Sequence, residues 1–149
     1  MHSRISLICV ALLCITLSSK ALANDFDKRV ARVYAEVEKM IAKGDSEGVF
    51  KVLYREDSVV AGEGVPFVAR STPELIKVID SVLAETRSCA IQQDPARGFS
   101  DRYSYSFVTY KCEPKNGGAA LHFRALYVWE ERNGELKVVA ELFGVGLMD

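Results

Sequence analysis

The chain is 149 residues long, with 19 basic and 20 acidic side chains and a formal charge of −1. That length suits one ordinary domain with a real core, and a hydrophobic content of 49% supplies the side chains to fill it. No basic block or stripe interrupts the balance, which argues against nucleic acid as a partner.

The first 23 residues read MHSRISLICVALLCITLSSKALA. Arg4 precedes an apolar run from Ile5 to Leu17, and Ala21-Leu22-Ala23 places small residues three and one before a cut. This pattern predicts a secretory signal peptide, residues 1–23, cleaved after Ala23. The apolar run falls short of the roughly 20 residues that cross a bilayer. Ile8 before Cys9 and Leu13 before Cys14 leave no small residue in front of a cysteine to be lipidated. The expected mature chain, residues 24–149, is a single exported domain, periplasmic or secreted, with no membrane anchor. It keeps 17 basic and 20 acidic side chains, a formal charge of −3, and two cysteines, Cys89 and Cys112.

From Asp25 to Lys43, Phe26, Val30, Val33, Val37 and Ile41 recur at helical spacing, and Gly44 ends the run. "DSEGVFKVLY" reads as a short second helix with Phe50, Leu53 and Tyr54 inward. "SVVAGEGVPFVARS" suggests a small hairpin around a Gly-rich turn. "STPELIKVIDSVLAE" is a third helix, with Thr72 as N-cap, Pro73 in the first helical position and Glu74 complementing the dipole. Four strand-like runs follow, "TRSCAIQQ", "RYSYSFVTYKC", "AALHFRALYVWEE" and "ELKVVAELFG", separated by turn formers. Helices first and a strand meander last predict an α+β domain, its helices packed on one face of a strongly curved antiparallel sheet.

The element order, with "YREDSVVAGEG", "RSTPELIKVI" and "FRALYVWEERNGELKVVAELF", resembles the nuclear-transport-factor-like cone. That superfamily, a cystatin-like roll, includes SnoaL-like proteins, ketosteroid isomerases and scytalone dehydratase. The resemblance spans nearly all of residues 26–147. It implies a cavity inside the cone into which acidic, His or Tyr side chains project. A His–Asp base of the dehydratase kind has only His122 available in the mature chain. The Tyr and protonated Asp pair of the isomerases has no residue-by-residue counterpart here.

With Asn133-Gly134 as a two-residue loop, Arg132 faces Glu135 and the two sides of the last hairpin separate. One face carries Ala125, Tyr127, Trp129, Val138, Ala140 and Leu142, all apolar, and it is the face that meets the helices. Tyr127 and Trp129 are therefore expected in the cone interior, as core or as pocket wall, with Tyr34, Met40 and Phe67 as fellow wall residues. The other face pairs Leu126 with Glu141 and Arg124 with Phe143, and also carries His122. Leu126, Val128, Val139 and Phe143 are too apolar for an open surface, so this face is expected to form a homodimer. His122, Arg124 and Glu141 would then be a polar patch in that interface rather than a catalytic group. One histidine and no ligand cluster predict no metal site, and no cofactor is expected.

Three functions stay open: a domain binding a small apolar or mixed ligand in the cone cavity, an isomerase or dehydratase working by proton transfer there, and a dimeric interaction protein with no ligand. Asp57 and Glu63 are the candidates for a general base, and a buried carboxylate in the cavity would favour catalysis. Finally, if Arg97–Arg102 is the loop between two strands, Cys89 lies directly across from Cys112. An oxidising compartment then predicts a disulfide between them.

Overall fold

The computed structural model describes residues 25–100 and 102–146. The expected signal peptide and cleavage after Ala23 lie outside the described residues. The described residues fall into two units, the first ending at Arg32 and the second starting at Val33, with the boundary inside the first helix, α1 (residues 25–43). In the first unit the opening turns of α1 carry an i,i+4 ion pair between Asp25 and Arg29 at 3.9 Å, and Arg32 donates to the Lys28 carbonyl.

In the second unit α1 ends at Gly44, whose φ of 69° suits a residue without a side chain. Gly44 N–H donates to the Ile41 carbonyl and Asp45 N–H to that of Met40, closing the last turn in a Schellman motif. Asp45 then caps α2 (Ser46–Leu53), its carboxylate accepting from Gly48 N–H at 2.8 Å. The far end of α2 is held by Lys137, whose ammonium donates to the carbonyls of Lys51 and Val52 at 2.5 and 2.9 Å.

Strand β1 (Tyr54–Gly62) follows at once. The hairpin expected after it reduces to one bridge, Val60 with Ala69. Pro66 in the returning arm has no N–H to donate, so pairing cannot propagate. α3 (Thr72–Glu85) starts one residue earlier than expected, with Ser71 rather than Thr72 as N-cap. Ser71 makes no side-chain cap; instead the Glu74 carboxylate accepts from Arg70 N–H at 2.8 Å. Leu75, Val78, Ile79 and Leu83 form its buried stripe.

The remaining strands are β2 (Thr86–Phe99), β3 (Tyr103–Pro114), β4 (Leu121–Arg132) and β5 (Glu135–Val145). They form one sheet in the order β1-β5-β4-β3-β2. It is mixed rather than wholly antiparallel, because β1 runs parallel to β5. α3 and three strands intervene between the two, a crossover long enough for parallel pairing. β2 runs six residues past its expected end, through an irregularity between Gln93 and Arg97 around Pro95. Cys89 nonetheless pairs with Cys112, and the two form a disulfide with Cα atoms 4.0 Å apart.

Candidate functional site

The site is made by a single extra residue. Asn133 (φ 56°) and Gly134 (φ 79°) build the expected two-residue turn, and Arg132–Glu135 through Trp129–Val138 pair in the expected register. Between Trp129 and Val128 the register then slips, so that Val128 faces Ala140 and Tyr127 faces Glu141. Val139 is the extra residue of this β-bulge. Beyond it, every β5 side chain points to the face opposite the one expected.

Two expectations change in consequence. Glu141 leaves the outer face, away from His122 and Arg124, and stands on the cavity side beside Tyr127. Phe143, expected on the dimer face, also lines the cavity, opposite Ala125. Their places on the outer face pass to Ala140 and Leu142. With Leu126, Val128 and the facing β3 residues Tyr105 and Phe107, they make an apolar patch across three strands. Val139 occupies the bulge itself and is half-buried.

Between the helices and the sheet lies a cavity of about 90 Å³. Val37 and Ile41 of α1, Leu53 of α2 and Val78 and Ile79 of α3 supply an apolar wall. The sheet supplies Ala125 and four polar groups: Tyr54, Tyr110, Tyr127 and Glu141. Of the lining residues Val82, Tyr110, Phe123, Glu141 and Phe143 are half-buried, and it is on their side that the cavity opens.

The four polar groups form two hydrogen-bonded pairs. The Tyr54 hydroxyl donates to Glu141, and the Tyr127 and Tyr110 hydroxyls lie 2.5 Å apart. Each phenol has one proton to give. That of Tyr54 is committed to Glu141, while between Tyr110 and Tyr127 either hydroxyl can donate.

Glu141 is half-buried and lines the cavity. Burial pushes it from the ordinary value of 4.5 up to about 7, against the opposing pull of the Tyr54 hydrogen bond. Tyr54, Tyr110 and Tyr127 are raised well above the usual phenol range, first by burial and then by the nearby charge of Glu141. All three stay protonated at neutral pH, while the carboxyl sits near its midpoint.

Of the wall residues proposed from sequence, Tyr127 lines this cavity. Trp129 is fully buried in the packed core, donating to Ser106 Oγ at 2.9 Å. Tyr34 stacks at a tilt on Trp129, with ring centroids 5.9 Å apart. Met40 packs toward Gly48 of α2, and Phe67 lies under the Lys77 ammonium. Asp57 is exposed and paired with Arg132, and exposed Glu63 accepts from the Val145 backbone N–H, so neither has a base's dry environment. Among the described residues no group of three or more His, Cys, Asp or Glu could hold a metal ion. In sequence Tyr54 is only an inward residue at a helix end, and Tyr110 gives no signal, being one tyrosine among several on β3.

No protein-family model and no curated protein sequence matches the chain. Solved structures do. An NTF-2-like protein of unknown function from Shewanella oneidensis MR-1 superposes with a TM-score of 0.66 at 6% identity, over 79% of this chain and 98% of that one. The fold is the NTF2-like cone. A ketosteroid isomerase-like protein from Erwinia carotovora atroseptica matches with TM-score 0.65 at 16% identity, over 81% of this chain and 96% of that one. A scytalone dehydratase-like protein from Novosphingobium aromaticivorans gives 0.65 at 13% identity, over 87% and 89%. At such identities the NTF2-like cone is what is shared, and the chemistry must be argued from this chain's own cavity.

Proposed function

We propose that the cone cavity binds a small carbonyl compound and that Glu141 moves a proton on it, as in an isomerase or a dehydratase. The observation that carries this reading is a carboxyl group held at about 7 in a cavity walled by apolar side chains, hydrogen-bonded to the Tyr54 phenol. A base poised near the working pH is what abstraction next to a carbonyl needs. A cavity built only to bind an apolar ligand has no use for a group that costs so much to bury.

The phenols suit the same step. Ionised Glu141 takes a proton from the carbon beside the carbonyl; the C–H electron pair forms a C=C bond and the carbonyl π pair moves onto oxygen as an enolate. The Tyr110 and Tyr127 hydroxyls, protonated and lining the same cavity, supply the donor that meets the new oxyanion. Return of the proton from Glu141 to a different carbon completes an isomerisation without water or cofactor. Roughly 150 Å³ holds a benzene ring, so about 90 Å³ takes a handful of heavy atoms, and any remainder of the ligand passes the mouth. The test is conversion of cyclohex-3-enone to its conjugated isomer, followed by ultraviolet absorbance. Wild-type protein should convert it, and Glu141→Gln should lose a hundredfold or more. No conversion above the buffer rate rejects the reading.

The setting of this activity is proposed on separate grounds. The leader-like first 23 residues and the Cys89–Cys112 disulfide support export. The outer-face patch, with Leu142 60% and Tyr105 44% exposed, supports a homodimer through the sheet.

A further inference from the structure

The structure assigns to Gly62 the task of holding the cavity mouth open, and so of setting the size of ligand that enters. This rests on the reading that the cavity takes a ligand, but not on proton transfer. Gly62 ends β1 and pairs with Phe143, in the same row of the sheet as Val60 and Glu141 two residues before. Val60 projects its side chain into the cavity wall. At Gly62 there is none, and the Phe143 ring lies in its place.

The fit is close. A Cβ added to Gly62 would stand 2.4 Å from three carbons of that ring, Cγ, Cδ1 and Cε1. Ordinary carbon contacts begin near 3.5 Å, so a single methyl forces the ring away by about an ångström. Its backbone cannot retreat with it. Glu63 N–H donates to the Phe143 carbonyl at 3.1 Å, and the Glu63 carboxylate accepts from Val145 N–H at 2.8 Å, tying the chain just after Phe143 to the end of β1. The ring must therefore swing. Its neighbour across the strand on the cavity side is Ala125, a small side chain that leaves room above it. A displaced ring moves over Ala125 and into the mouth of a cavity that is itself no larger than a ring.

Hydrocarbon probes test this without engaging the carboxyl. Xenon, benzene and toluene would be titrated into wild type, Gly62→Ala, Phe143→Ala and the double variant, with affinities read by ligand-detected NMR. Wild type should take xenon. Gly62→Ala should weaken it tenfold or more, and Phe143→Ala should admit benzene or toluene. In the Phe143→Ala background Gly62→Ala should change nothing, because the ring it displaces is gone. Equal loss in both backgrounds, unchanged affinity in Gly62→Ala, or a wild type that takes none of the probes overturns the assignment. Failure of enone isomerisation alongside the predicted probe pattern would reject only the proton-transfer reading.

Discussion

Replacing Glu141 with Gln removes a charge that the cavity must hold above neutral pH. The carboxyl titrates near 4.5 in an unfolded chain and at about 7 in the fold. Below 4.5 both states carry the proton, and above 7 both have lost it. In between, the folded protein keeps a proton that the unfolded chain has released, so stability falls as pH rises through this window. A shift of that size corresponds to about 3 kcal/mol between the two plateaus. Gln keeps an acceptor for the Tyr54 hydroxyl and has no proton to lose. Denaturant unfolding from pH 4.5 to 8.5 would therefore show wild type losing about 3 kcal/mol relative to Glu141→Gln. Taking the difference between the two cancels every other titrating group. Parallel stability curves would mean that Glu141 ionises as if in water, and the argument from burial would fail.

Tyr54→Phe removes the hydrogen bond that holds the Glu141 value down, so the midpoint of the same stability difference should move further up; a downward move would contradict the donor direction. Replacing Cys89 and Cys112 by Ala opens a link spanning 23 residues, which the chain-entropy account values at about 3 kcal/mol; unfolding midpoints with and without reductant would measure it. Leu142→Asp should yield monomers by sedimentation at tens of micromolar with stability changed by no more than about 0.5 kcal/mol; a wild type already monomeric there would remove the dimer.

Local chemistry made much of the fold legible. Gly44, the Pro73–Glu74 helix start and Asn133-Gly134 are short-range signals, and each lies at or within a residue of its expected role. The disulfide was readable because its register depends on one nearby hairpin. The site was not readable, because a bulge leaves no mark in the apolar–polar alternation. Val138-Val139-Ala140 looks the same whether or not Val139 is counted out of the ladder, yet that one residue decides which face Glu141 occupies. Tyr54 joins Glu141 through a parallel contact that no local pattern announces, and nothing local singles out Tyr110 among the tyrosines of β3.

Direct titration of the Glu141 side-chain carboxyl, by carbon-detected NMR with Glu141→Gln to assign the signal, tests the central claim. The cavity predicts a midpoint near 7. A midpoint near the ordinary 4.5 would show a carboxylate already ionised and solvated, with no proton to exchange at neutral pH.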